Sequence, residues 1–288
     1  MLVRLGIVLM RLLAPWPLPA LRALGWLLGL LLYAVVVPRR RVAMKNLELC
    51  FPEMSLGQRR ALTRRIFIRF VQAWLDRAWI WQGSAATLER RVRLRGEVQA
   101  LQGKDPTVIF APHFVGLDAG AAAIAHGIAR RVTSIYTNQP NKILNEWVLK
   151  GRLRFGQVKL FDRSAGVKTI VAGLRASDPL YLLPDMNYGL EDSIFVPFYG
   201  QPAATIPSLS RFARLGRAKV VPAITRMTPS GYDVEVLPAW TDFPTDDIVA
   251  DTALMNQHLQ SYIDTMPDQY FWLHKRFKSR PTGEPGVY

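Results

Sequence analysis

No acidic side chain occurs before Glu48, and the fourteen residues from Leu24 to Val37, LGWLLGLLLYAVVV, carry no charge. Extended back to Ala20, the run covers eighteen positions with Arg22 as its only charge. That is close to the lower limit for crossing a hydrocarbon layer about 30 Å thick. Arg4, Arg11 and the Pro15-Trp16-Pro17-Leu18-Pro19 break precede it, and Pro38-Arg39-Arg40-Arg41 follows at once. A cleaved signal peptide would need a small-residue cleavage site, and none of the A-x-A kind stands there. The segment therefore predicts an uncleaved membrane anchor over residues 1–41, N-terminal to everything else. The arginines after the run place the body on the cytoplasmic side by the positive-inside rule. The prolines leave open whether the segment crosses the bilayer or dips into its surface.

From Arg59 to Trp81 the chain reads RRALTRRIFIRFVQAWLDRAWIW. Leu62, Ile66, Phe70 and Ala73 recur at helical spacing, with Arg60, Arg64 and Arg65 among them. A core helix with a charged outer face fits this pattern. So does a helix lying against lipid, with Trp74, Trp79 and Trp81 at headgroup depth, and the neighbouring anchor favours that second reading.

Past residue 105 short β-branched runs alternate with helical stretches. Thr107–Ala111, Val132–Tyr136, Pro179–Leu183, Lys219–Ile224 and Asp233–Leu237 read as strands. Asp118–Ala129, Asn141–Phe155, Gly166–Ala176, Thr205–Leu215 and Asp251–Met266 read as helices. The alternation predicts an α/β fold, a central sheet flanked by helices. With 288 residues, 50% of them hydrophobic, the chain suffices for one catalytic domain over residues 42–288 behind the leader. Within it, residues 42–104 form a basic helical part and 105–288 the α/β core. Cys50 is the only cysteine, which excludes an internal disulfide and cysteine-pair metal sites. A net charge of +15 and a pI near 10.3 draw polyanions: anionic membrane, nucleic acid, acidic protein or phosphorylated substrate. The apolar leader has no role in nucleic-acid binding.

Four histidines are present. His126 and His258 lie within expected helices, with no acidic residue at useful spacing. His113 follows the apolar strand Thr107–Ala111 and opens a helix, with Asp118 five residues on. Strand-to-helix corners are where α/β proteins place reacting groups. A carboxylate in the first turn can hold one imidazole N–H and leave the other nitrogen free to take a proton. Taken alone, the same spacing also describes an ordinary helix cap. No Gly-x-Ser-x-Gly elbow, His-Glu-x-x-His zinc motif or phosphate-binding glycine loop occurs. Direct removal of a proton from an acceptor hydroxyl remains, with no metal and no cofactor.

His113-Phe-Val-Gly-Leu-Asp118 resembles the His-x4-Asp/Glu motif of glycerolipid and lipid A acyltransferases. Further segments are similar to the late acyltransferases of lipid A biosynthesis: Arg41–Leu47 with Cys50-Phe-Pro-Glu53, Asp162-Arg163, Pro184–Gly189, Val196–Gly200, Ala204-Thr205 and Gln269–Pro281. The similarity runs in order along almost the entire chain. It implies a bacterial inner-membrane enzyme of lipopolysaccharide biosynthesis, with a glycerolipid-acyltransferase-like fold around a mixed sheet. Its reaction would move an acyl chain from acyl carrier protein to a hydroxyl of a phosphorylated glycolipid, the lipid A precursor. The resemblance makes His113 the general base and Asp118 its orienting partner. It places Arg163 and Asp185 near substrate phosphate or the reacting carbonyl. Lys275 and Arg276 would grip substrate phosphates, or else belong to a basic tail packed on lipid. Two departures stand out: Asn187 where relatives often carry aspartate, and Asp118 where many carry glutamate. Another acceptor (a lysophospholipid, an ornithine lipid or a different glycolipid) and a non-enzymatic anionic-lipid-binding protein are the alternatives.

Overall fold

The computed structural model describes residues 1–288. Its N-terminal third is helical: Leu2–Leu13 (α1), Leu18–Val35 (α2), Val37–Cys50 (α3), Leu56–Gln82 (α4) and Ala85–Arg91 (α5). Helix α2 is long and apolar enough to cross a membrane by length and composition. Helix α2 stops at Val35, because Val36, with ψ of 62°, breaks it, and Pro38 sits in the first turn of α3. Arg39–Arg41 thus begin a new helix.

Helix α4 starts at a capping box: Ser55 Oγ accepts from the Gln58 N–H, and Gln58 Oε1 accepts from the Ser55 N–H. Its 27 residues would extend roughly 40 Å. The lipid-facing reading of this helix is corrected here. Trp79 and Trp81 are buried and only Trp74 is exposed, while Arg60, Arg64 and Arg65 form the solvated side. Apolar residues recur around most of α4 because it is covered on two sides, by the leader helices and by the sheet.

The leader packs closely on α4. Gly25 and Gly29 of α2 face Gln72 and Ile68, and a Cβ on Gly29 would lie 2.5 Å from the Ile68 Cα. Only a missing side chain lets the two backbones approach so near. One turn before Gly25, Arg22 reaches the fully buried Asp76 of α4, with 3.0 Å between Nη2 and Oδ2. Met10, Leu13 and Leu21 join the same apolar cluster as Ile109 and Val221 of the sheet. On the outside, Leu2, Leu5, Leu9 and Leu12 of α1 and Trp26, Leu27, Leu31 and Val35 of α2 remain exposed.

The rest of the chain alternates as expected: Val92–Gly96 (β1), Thr107–Phe110 (β2), Leu117–Gly127 (α6), Val132–Tyr136 (β3), Lys142–Arg152 (α7), Val158–Asp162 (β4), Val167–Arg175 (α8) and Leu180–Leu182 (β5). Ile194–Phe198 (β6) and Gln201–Thr205 (β7) follow, then Ser208–Gly216 (α9), Lys219–Thr228 (β8), Gly231–Val236 (β9) and Ile248–Asp264 (α10). Seven strands form one sheet in the order β1-β9-β8-β2-β5-β3-β4. Only β8 and β9 pair antiparallel, so the sheet is mixed. Strands β6 and β7 make a separate hairpin. Residues 201–205, partly read as the start of a helix, end that hairpin, and α9 begins only after Pro207.

The segment after α10 has little regular structure but many anchors. Val115 donates to the Gln269 carbonyl and Phe271 to the His113 carbonyl, so Gln269–Phe271 runs along the loop after β2. Asn46 of α3 donates its amide to the carbonyls of Trp272 (2.7 Å) and His274 (2.8 Å). His274 Nε2 accepts the Asn187 N–H at 3.1 Å. Burial, followed by the nearby charges of Arg276 and His113, pushes the His274 imidazole down to about 4.

Two outcomes follow from this packing. Replacing Gly29 with leucine should cost about 1–3 kcal/mol of stability by forcing α2 off α4. Gly6, with open space around it, should tolerate the same change, and denaturant midpoints in detergent compare the two. Secondly, the unfolded chain protonates His274 before the folded one does. His274 should therefore lower stability as pH falls from about 6.5 towards 4. Midpoints measured across that range should show a flatter slope for His274→Gln, whose amide oxygen can still accept the Asn187 N–H.

Candidate active site

Strands β2 and β5 lie side by side and parallel, with Phe110 opposite Leu182. Each leads through a proline, Pro112 or Pro184, to a polar residue three positions past that pair: His113 and Asp185. Matching offsets in neighbouring parallel strands bring the two side chains together at the carboxyl edge of the sheet. Reacting groups of open α/β sheets are found at that edge.

The contact is two-pronged. Asp185 Oδ1 lies 2.8 Å from His113 Nδ1, and Oδ2 accepts the His113 backbone N–H at 3.0 Å. Asp185 is fully buried. Burial alone would raise its carboxyl; the charge of the His113 imidazole and both donated hydrogen bonds outweigh it and hold the group below the usual carboxylate range. Nδ1–H donated to Asp185 leaves Nε2 as the nitrogen available to a substrate.

Asp118 is placed elsewhere, and this corrects the expected contact. It sits in the first turn of α6 and takes two arginines. Arg77 of α4 approaches Oδ2 at 2.7 Å and Arg152 of α7 approaches Oδ1 at 3.0 Å. Burial would raise this carboxyl too, but the charges of Arg152 and then Arg77 keep it low. A helical residue five positions after His113 turns towards neighbouring helices. The strand beside β2 supplies the carboxylate that meets the imidazole.

His113 and Asp118 line one cavity of about 470 Å³, within the size range of small-ligand sites. Its polar side holds His113, Asp118, Arg77, Arg152 and Arg163. Its apolar side is built from Val132 and Ile135 of β3, Val158 and Leu160 of β4, Ile170 of α8 and Phe212 of α9. Arg163 is exposed and lies 4.6 Å from the centre of the Tyr188 ring, which also lines the cavity. Asp162 beside it is bonded to Asn138 and Ser164, leaving the Arg163 guanidinium unpaired by that neighbour.

The remaining candidates lie apart from this cavity. Arg276 is buried, donates to the Ala204 carbonyl (2.8 Å) and Thr205 Oγ1 (2.7 Å), and packs over Phe198. It holds the β6–β7 hairpin and is not open to a phosphate. Lys275 is exposed but faces Tyr288 and a different groove. Asn187 donates to the Arg276 carbonyl and accepts from Gly189 and Ser279, a structural set. His126 pairs with Glu89 on the surface and His258 stacks on Trp240. Burial raises the Cys50 thiol, which argues against a thiolate nucleophile. No cluster of three or more His, Cys, Asp or Glu side chains offers a metal site.

Arg77, Arg152 and Tyr188 join the site without a local sequence signal. Arg77 and Arg152 stand 41 and 34 positions from Asp118, on helices whose arginines all look alike in sequence. Their spacing carried no signal.

The profile of the bacterial lipid A biosynthesis acyltransferase family matches residues 1–279. The lipid A biosynthesis lauroyltransferase of Escherichia coli K12 is 31% identical, over 99% of this chain and 94% of its own length. The palmitoleoyltransferase of the same organism is 30% identical over 94% and 89%, and its myristoyltransferase 30% over 86% and 78%. Matched from leader to C-terminal segment, the chain belongs to the bacterial lipid A biosynthesis acyltransferase family and is an acyltransferase.

Proposed function

We propose that the chain transfers a fatty acyl group from acyl carrier protein to a hydroxyl of a lipid A precursor, at a membrane surface, by general-base catalysis without an acyl-enzyme. The observation that carries this reading is the His113–Asp185 pair, set by strand register with Asp185 buried behind His113 and His113 lining a cavity that also holds three arginines and an apolar set of side chains.

The chemistry follows from these positions. Asp185 accepts Nδ1–H and fixes the tautomer, so His113 Nε2 removes the acceptor hydroxyl proton as oxygen attacks the thioester carbonyl. The tetrahedral intermediate collapses, the carbon–sulfur bond breaks, and the imidazolium returns the proton to the leaving thiolate. Asp118 acts through the arginines: it holds Arg77 and Arg152 against the cavity, where their charge suits a phosphate or a developing oxyanion. Arg163 adds a third cation at the edge. The apolar wall suits an acyl chain.

The exposed apolar faces of α1 and α2 support membrane attachment through residues 1–41, with the body, residues 42–288, at the bilayer surface. The arginines after α2 favour the cytoplasmic side of the inner membrane. An acidic carrier protein and a phosphorylated acceptor suit a chain of +15.

The test uses purified protein, a series of acyl carrier protein donors and a tetra-acylated lipid A precursor. His113→Ala should lower kcat by roughly 10²–10⁴-fold with folding intact. Asp185→Asn should also fall chiefly in kcat, whereas Asp118→Asn should raise KM by loosening the two arginines. Full activity of Asp185→Asn beside a dead Asp118→Asn would reverse the two assignments; full activity of His113→Ala refutes the mechanism. In a deletion strain, lipid A should lack one acyl chain by mass spectrometry. Intact lipid A with a change in lysophospholipid or ornithine lipid would redirect the acceptor.

A further inference from the structure

A second cavity, of about 760 Å³, shares no lining residue with the first. It lies between the start of α3 and the C-terminal segment. Five cationic side chains line it, those of Arg39, Arg40, Arg41, Lys45 and Lys275, with Glu48 as the only carboxylate side chain. Like charges gathered around a cavity repel one another, and an anion in their midst relieves that cost.

We propose that this groove binds the phosphate headgroup of an anionic glycerophospholipid, whose acyl chains lie along the outer face of α2. The proposal rests on the reading that the protein works at a membrane. What favours a lipid over an acidic protein is continuity. The groove opens at Pro38, three residues beyond the end of α2, and Leu27, Leu31 and Val35 on that helix are exposed. Arg40 turns back to cap the helix, donating to the Tyr33 carbonyl at 2.8 Å and the Ala34 carbonyl at 3.3 Å. That fixes one cation at the level where the apolar stripe ends. Arg39 is tied to the Leu273 carbonyl at 3.1 Å, so the C-terminal segment and α3 hold the two walls together. Arg41 is exposed. Lys45 has only Glu48, at 3.2 Å. An apolar stripe ending in fixed and free cations matches a lipid with its chains in the layer and its phosphate at the surface.

Flotation of the full chain with vesicles tests this. Neutral phosphatidylcholine vesicles report attachment through the apolar helices; vesicles that also contain phosphatidylglycerol report the groove. Arg41→Glu/Lys45→Glu should float on neutral vesicles as the parent does, and lose roughly tenfold or more of the added affinity for phosphatidylglycerol. Lys104→Glu/Lys168→Glu makes the same change in net charge at exposed sites elsewhere and should lose far less. Unchanged anionic affinity in the groove variant overturns the proposal, as does an equal loss in the control. Loss of binding to acyl carrier protein with lipid affinity retained overturns it in favour of a protein-docking face. A parent chain that floats on neither vesicle overturns the membrane reading itself, which the other outcomes leave standing.

Discussion

A buried carboxylate held by two N–H groups of a single histidine sets the geometry of this protein's site. Asp185 is fully buried, so its charge depends on His113 Nδ1 and the His113 backbone N–H. Meeting both requires the imidazole and the main chain at residue 113 to be fixed together. The parallel register of β2 and β5 supplies the approach, and the C-terminal segment clamps the other side of the loop through Phe271 and the His113 carbonyl. Parallel pairing in turn requires the crossover helices between these strands, so a large part of the α/β core serves one contact.

Around that contact the charges are sorted by element. Helix α6 carries Asp118 in its first turn, a favourable end for a carboxylate, and α4 and α7 each bring an arginine to one of its oxygens. Two cations on one anion leave an excess of positive charge facing the cavity. In the same cavity, β3, β4, α8 and α9 contribute Val132, Ile135, Val158, Leu160, Ile170 and Phe212. One cavity thus combines cationic and apolar lining, which suits an amphiphile.

The sequence disclosed the parts of the site more readily than their pairing. Alternating periodicities announced the α/β class, and the strands leading to His113 and Asp185 were visible as short apolar runs. Strands β1, β4, β6 and β7 were missed. β1 and β4 are partly exposed edge strands with charged side chains, and prolines, Pro197 and Pro202, stand inside β6 and β7. The carboxylate five residues from His113 was the natural partner in one dimension. Only strand order shows that a residue 72 positions away is nearer, and strand order is a long-range property that local pattern does not encode. Trp79 and Trp81 misled for a related reason: amphipathic aromatics look the same whether lipid or protein covers them, here Tyr232 of β9 and Trp147 of α7.

The pairing of Arg22 with Asp76 makes the leader hard to remove. A carboxylate with no exposure, on the central helix, has its nearest cation in the second helix of the chain. Cutting the first thirty-odd residues away would remove that cation and leave Asp76 with the hydrogen bonds from Trp79 and Tyr232 alone. It would also bare the face of α4 that Gly25 and Gly29 now cover. A shortened chain would need Asp76 neutralised and that face redesigned, because the same helices that expose apolar side chains outward also finish the protein's interior.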